Sequence, residues 1–141
     1  LIEGLESCIT MLNHQLKDRI IVIKKFNPIP EIVCNPGKLN QVFMNVITNA
    51  IQSISGEGTI TIYTFFENNS IHIKISDSGT GISESIISRI FEPFFTTKKV
   101  GKGTGLGLSI SFGIIKEHHG QIFYNNNAGK GATCTIILPM R

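Results

Sequence analysis

Asp77-Ser78-Gly79-Thr80-Gly81-Ile82 opens, and Gly101-Lys102-Gly103-Thr104-Gly105-Leu106-Gly107-Leu108 closes, the stretch from Ser76 to Ile110 around which the rest of the chain is organised. Between them runs an aromatic block, Phe91-Glu92-Pro93-Phe94-Phe95-Thr96-Thr97-Lys98. Glycine at alternate positions from 101 to 107 lets the backbone take positive φ and bring its N–H groups close to a ligand, and the apolar run that follows reads as a helix. A glycine-rich turn feeding a helix N-terminus is a phosphate site, but a flexible surface loop has the same composition, so the neighbours must decide. No Gly-Lys-Ser/Thr of a P-loop is present, and the glycines lack the spacing of a dinucleotide fingerprint.

Just upstream, Ile71-His72-Ile73-Lys74-Ile75-Ser76 alternates strictly and pairs with Thr59 to Phe66 through Asn68-Asn69, an antiparallel hairpin with one wet face. Before it, apolar residues at 39, 42, 43, 46, 47, 50, 51 and 54 predict a long helix, started by Asn35 as N-cap with Pro36 behind it and ended by Gly56-Glu57-Gly58. Gln41, Asn45 and Asn49 form a polar row on its other flank, drifting only ~40° per step. Residues 1 to 18 carry Leu5, Cys8, Ile9, Leu12 and Leu16 at helical spacing, whereas Ile20 to Phe26 and Ile32 to Cys34 read as two strands about the turn Asn27-Pro28-Ile29-Pro30. Downstream, Ser83 is expected to cap a short helix to about Ile90, and Phe91 to Thr104 shows no period and is a loop. Leu106 to His119 is apolar on nearly all sides, a buried helix with Gly120 as its C′ residue, and Gln121 to Asn126 with Ala132 to Leu138 make a last hairpin. Helices grouped beside an antiparallel-rich sheet predict a two-layer α/β sandwich, one sheet layer carrying the helices on a single face.

At 141 residues and 41% hydrophobic, the chain is one domain that can bury a real core. No apolar run approaches the roughly 20 residues of a membrane span, and no signal peptide is visible. The three cysteines, Cys8, Cys34 and Cys134, lack metal-ligand spacing and read as reduced thiols without a disulfide. A formal charge of +3, scattered along the chain, argues against nucleic acid, while Lys98, Lys99 and Lys102 beside the glycines suit an anionic ligand. A chain that begins at Leu1 without a methionine is expected to be a piece of something longer.

Each polar candidate has two readings. Asp77 ends a strand ahead of two glycines: its carboxylate, an acceptor only, suits the exocyclic amine of adenine and repels the O6 of guanine, or it closes an Asx turn. Asn45 and Asn49 sit mid-helix at a cost of about half a kcal/mol each against alanine, either as hard neutral ligands for Mg²⁺ or as a solvated face. Phe91, Phe94 and Phe95 pack in the core or anchor a lid. His14, His72, His118 and His119 lack ligand-spaced partners and receive no metal role.

Taken together, Asn45-xxx-Asn49-Ala50, Asp77-Ser-Gly-Thr-Gly81, Phe91-Glu-Pro-Phe-Phe95 and Gly103-Thr-Gly-Leu-Gly107 resemble, in order and spacing, the N, G1, F and G2 boxes of the sensor histidine kinase catalytic and ATP-binding domain. That domain belongs to the GHKL superfamily with its Bergerat fold, and the resemblance runs from about Asn35 to Pro139. The Phe-Phe-Thr-Thr-Lys form is similar to nitrogen-regulation and sporulation kinases. The resemblance implies ATP and Mg²⁺ as cofactors, with Asp77 and Thr133 recognising adenine and Asn49 holding the metal. Asn45, supporting the phosphates, and Lys98 are implied as catalytic. Gly79, Gly81, Ile82, Phe91, Phe95, Thr96, Thr97 and Lys98 are implied to line the nucleotide, and Gly101, Lys102, Gly103, Thr104, Gly105, Leu106, Gly107 and Leu108 to form the ATP lid and the helix start behind it. It further implies a cytoplasmic, monomeric domain, 19–141, without membrane contact of its own, and leaves open whether the parent is membrane-anchored. Residues 1–18 would connect it to a dimerisation hairpin bearing the phosphoacceptor histidine, for relay to a response regulator.

Two departures bear on that transfer: no histidine here stands in a phosphoacceptor context, and Asn35 replaces the Asp that often precedes the proline. A rival within the superfamily is an ATPase of the gyrase, mismatch-repair or chaperone kind. Those resemble one another in a Glu one turn before the Mg²⁺-binding Asn, where this chain has Asn45. A degenerate ATP-sensing module is the other.

Overall fold

The computed structural model describes residues 1–85, 87–92 and 107–140. Its sheet has the order β1-β2-β3-β5-β4, with β1 Ile20–Phe26, β2 Gly58–Glu67, β3 Ser70–Asp77, β4 Gln121–Asn126 and β5 Ala132–Pro139. Among the described residues β1 and β2 run parallel and the remaining pairs are antiparallel: β2–β3 and β4–β5 are hairpins, whereas β3 meets β5 across the connection that carries α4 and β4. Asn68 and Asn69, at φ 53° and 59°, make the tight turn that a right-twisted two-residue hairpin needs.

The helices lie on one face: α1 Ile2–Met11, α2 Asn13–Leu16, α3 Pro36–Ser53 and α4 Gly107–Glu117. Alternate residues of β3, Ile71, Ile73 and Ile75, point into that layer beside Ile60 and Ile62, and meet the apolar stripe of α3 in one continuous core. Leu5, Cys8, Leu12 and Leu16 belong to the same core, so the N-terminal helices are part of this packing unit. The opposite sheet face carries Lys74, Ser76 and His72, the last stacked on Phe65 with centroids 4.7 Å apart.

The long helix α3 is fixed at both ends. Asn35 Oδ1 accepts from the Lys38 N–H at 3.1 Å with Pro36 in the first turn, and the Arg19 guanidinium donates to the carbonyls of Ile51, Ile54 and Gly56 at the other end. A cation on exposed C-terminal carbonyls is favourable for the helix dipole.

Four expectations change. Ile32 to Cys34 is not a strand: β1 is already the sheet edge, and Pro28, Pro30 and Pro36 remove donors and fix φ around a segment in which Val33 is 97% exposed. The helix expected after Ser83 is, among the described residues, a single 3₁₀ turn, Ile87–Arg89, and the Ser83 hydroxyl is hydrogen-bonded with that of Ser85. Helix α4 is buried on one side only, through Ser111, Ile114 and Ile115, with Ile110 and Phe112 exposed. At its end His119 takes the left-handed conformation at φ 61°, and Gly120 is instead demanded by packing, since a Cβ there would stand 2.4 Å from the Ile137 carbonyl.

Candidate functional site

The polar row of α3 meets α4 at Asn45. Its side-chain nitrogen donates to the Gly107 carbonyl and to Ser111 Oγ, both at 3.1 Å, and Ser111 Oγ donates in turn to the same carbonyl at 2.9 Å. Both N–H bonds of the amide are thereby engaged with the protein, and the end that Asn45 can offer a ligand is its oxygen, an acceptor. Phosphate oxygens are acceptors too, so an oxygen presented this way suits a cation or a water and not a phosphate directly. Gly107 and Leu108 begin α4, where first-turn N–H groups lack intrahelical partners.

Asp77 closes β3 and is 8% exposed. Its Oδ1 accepts from the Gly79 N–H at 2.9 Å and the Ala132 N–H at 3.4 Å. Burial pushes the carboxyl above its ordinary range, and these amides together with the Ser53 hydroxyl pull it back. The Asx turn and the buried acceptor are one arrangement. A carboxylate accepts about four hydrogen bonds, which leaves capacity for an exocyclic amine. Two close approaches hold it there: a Cβ on Gly79 would stand 2.4 Å from the Ser53 carbonyl oxygen, and one on Gly131, at φ +91°, would overlap the Asp77 carbonyl at 1.8 Å.

The segment after this turn is pinned to the end of β4 by Asn126, which accepts from the Ile82 N–H at 2.7 Å and donates to the Ile82 carbonyl at 2.5 Å. Phe91 is half-buried between Phe112 and Tyr124, with centroids 5.5 and 6.1 Å away, and packs against the core. Tyr124 lies opposite Cys134 in the β4–β5 register, on the helix side of the sheet. Burial and Cys134 push its hydroxyl well above the usual tyrosine range, while the Asn49 amide acts in the other direction. Asn49 is therefore beside Tyr124 on the inner face shared with Asp77.

Thr133 is not. It is registered against Ser76, and its hydroxyl bonds to Ser76 Oγ and Asn127 Oδ1 on the outer face, in an open groove with Tyr63, Phe65 and Lys74. Asp77 faces the helices, so the strand pleat separates the two, and the β5 contribution to Asp77 is the Ala132 backbone N–H. The structure thus gathers Asn45, Asn49, Asp77, Gly79, Gly81, Ile82, Phe91, Gly107 and Leu108 around one side of the α3–sheet layer and leaves Thr133 out. Phe95, Thr96, Thr97, Lys98, Gly101, Lys102, Gly103, Thr104, Gly105 and Leu106 lie outside the described residues. Sequence reasoning missed Ser53, Ser111, Tyr124 and Asn126; of these only Ser111, a hydroxyl in the middle of an apolar helix, carried a visible signal.

The donor set bears on the metal. Among the described residues no three His, Cys, Asp or Glu side chains gather to hold an ion. Amide oxygens of Asn45 and Asn49 fit Mg²⁺, which takes few protein ligands and completes its shell from phosphates and water.

A family model described as histidine kinase-, DNA gyrase B- and HSP90-like ATPase matches residues 34–141. Sporulation kinase E of Bacillus subtilis (strain 168) is 38% identical over 136 residues, 94% of this chain and 18% of that protein. Sensor histidine kinase ZraS of Escherichia coli (strain K12) is 36% identical over 140 residues, 93% of this chain and 30% of that protein. The chain thus spans less than a third of the length of these curated relatives. Among solved structures, the nucleotide-free catalytic domain of histidine kinase ThkA matches with a TM-score of 0.89 at 28% identity, over 99% of this chain and 91% of that one. ThkA in complex with response regulator protein TrrA matches with a TM-score of 0.84 at 26% identity, over 100% of this chain and 40% of that one. The mixed five-stranded sheet with helices on one face, the buried Asp77 acceptor and the matched sequence lead to one conclusion: the chain belongs to the histidine kinase-, DNA gyrase B- and HSP90-like ATPase family, and ATP is its nucleotide.

Proposed function

We propose that this chain is the ATP-binding catalytic domain of a two-component sensor histidine kinase, giving the γ-phosphoryl group of Mg-ATP to a histidine on a separate helical hairpin. The observation that carries this reading is Asn45, a neutral amide whose nitrogen is committed to Gly107 and Ser111 one turn before Asn49. An amide does not take a proton at neutral pH, so that position offers no base for attack by water.

In this reading Asp77 selects adenine, Ile82 and Phe91 bound the base, and Asn45 and Asn49 present oxygens toward the metal. The first turn of α4 faces the phosphates, and Lys98 and Lys102 are assigned to neutralise them. When bound, Mg²⁺ supplies neutralising charge on the phosphates. The chain's own work is positioning and exclusion of water, as phosphoryl transfer requires. Residues 1–18 serve as the connection from the hairpin. The relay partner is a response regulator receiver domain, a reading supported by the ThkA–TrrA complex. No helix of the described residues is long and apolar enough to cross a membrane; the reading assigns the domain to the cytoplasm, monomeric when isolated.

Calorimetric titration with ATP, GTP and ADP, each with and without Mg²⁺, tests the reading. Preference for adenine nucleotides, tightened by Mg²⁺, is expected; equal binding of GTP would remove the role given to Asp77.

A further inference from the structure

We infer that Ser111 is a positioning residue for the phosphate end of the ATP site, acting through Asn45. Ser111 is fully buried in the first turns of α4, on the side that carries Ile114 and Ile115 into the core. Its proton goes to the Gly107 carbonyl at 2.9 Å, and while that bond stands the oxygen accepts from Asn45. The Gly107 carbonyl can only accept as well. Two acceptors, each 3.1 Å from the same amide nitrogen, fix which way the Asn45 amide is turned. With the amide flipped, its carbonyl oxygen would stand against the Gly107 oxygen, and Ser111 could meet it only by withdrawing its proton from that carbonyl, so a flip breaks both the Asn45 and the Ser111 bonds to Gly107.

Three consequences follow from this one hydroxyl. The Asn45 oxygen is turned away from α4 and toward the ligand side. The carbonyl of Gly107, which ends the glycine-rich run, is held by two donors at once. And α3 and α4 are joined at the level of the N-box, so the start of α4 cannot rotate without breaking Asn45's bonds. Gly107 alone would leave the second N–H of the amide unengaged and a flip less costly. The residue touches neither nucleotide nor metal in this reading, and its role is to present a neighbour's oxygen.

The inference rests on the reading that Asn45 lies at the metal and phosphate end, and the experiment separates the two. ATP affinity is measured with Mg²⁺ and with chelator for the wild-type chain, Ser111→Ala, Ser111→Thr, Asn45→Ala and the double variant Ser111→Ala/Asn45→Ala. Ser111→Ala is expected to keep its chelator affinity and lose roughly three- to tenfold of the tightening by Mg²⁺, the range of one ordinary hydrogen bond. Ser111→Thr, which keeps the hydroxyl, is expected to restore it. The double variant is expected to fall no further than Asn45→Ala, the signature of action through that residue.

If Asn45→Ala loses the Mg²⁺ effect and Ser111→Ala keeps it, the inference is overturned and the proposed function stands. If neither loses it, Asn45 is not at the phosphate end and both fail together. Equal losses with Mg²⁺ and with chelator would mark a merely structural residue and overturn the inference. Should Ser111→Ala not fold, wild-type protein decides: in ¹⁵N NMR the Asn45 side-chain amide should show contacts from both its protons to Ser111 and Gly107, unchanged by Mg-ATP. A flipped or freely exchanging amide would overturn it.

Discussion

Asn45 Nδ2 stands 3.1 Å from the carbonyl oxygen of Gly107, which ties the middle of one helix to the first residue of another, 62 positions further along the chain. Helix α3 is rigid, built into the core along its whole length, and α4 begins where the glycine-rich run ends. Asn45→Ala should cost stability despite alanine's better helix propensity. Two hydrogen bonds of about 1 kcal/mol each are lost against a gain of about 0.5, a net loss of roughly 1.5 kcal/mol readable by urea unfolding.

Asp77→Asn should leave the fold intact, because Oδ1 remains to accept from Gly79 and Ala132. One acceptor toward the base becomes a donor, and a charged hydrogen bond of about 1.5 to 3 kcal/mol is exchanged for repulsion, so ATP affinity should fall at least tenfold. Wild-type affinity in this variant, measured by calorimetry, would remove the carboxylate from base recognition.

The same carboxylate sets a pH dependence. Its folded value is raised above the ordinary 3.8 mainly by burial, so the folded chain holds this proton more tightly than the unfolded chain does. Asp77 therefore contributes stability below 3.8 that is lost as pH rises through its raised folded value, and it costs stability at neutral pH. ATP binding has the opposite sign: it needs the ionised form and should weaken on acidification, starting above the ordinary aspartate range. Asp77→Asn should be flat across that window and no less stable than wild type at pH 7.

Thr133→Val should bind ATP as the wild type does, since its hydroxyl belongs to Ser76 and Asn127 on the far sheet face. A tenfold loss would mean that the outer face communicates with the site. Gly131→Ala, by contrast, should lose about 3 kcal/mol or more, because the added carbon overlaps the Asp77 backbone and φ is +91°. Thermal unfolding of the two variants side by side distinguishes surface from scaffold.

Much of this was legible from spacing. The apolar residues of α3 at 39, 42, 43, 46, 47, 50 and 51, with Ile54 at its C-cap, are all buried, and the alternation of β3 places its isoleucines inward. Period 2 also held the placement of Thr133: Cys134, Ile136 and Leu138 are inward residues of β5, so an odd-numbered neighbour must face out. Ile32 to Cys34 misled because β-branched composition says nothing about whether a partner strand exists. The contacts of Ser111 with Asn45 and of Asn126 with Ile82 were not legible at all, since they arise only when elements 66 and 44 residues apart are packed together.

The central claim is that this domain holds Mg-ATP for transfer to a histidine it does not itself carry. The direct test uses γ-labelled ATP with residues 1–141, alone and with the folded, dimeric helical hairpin of the parent protein, following phosphate release and acid-labile label on the hairpin. The account predicts almost no release by the chain alone and labelling of the hairpin that requires Mg²⁺ and is lost in Asp77→Asn. Multiple turnovers of hydrolysis by the chain alone, with the hairpin unlabelled, would contradict it.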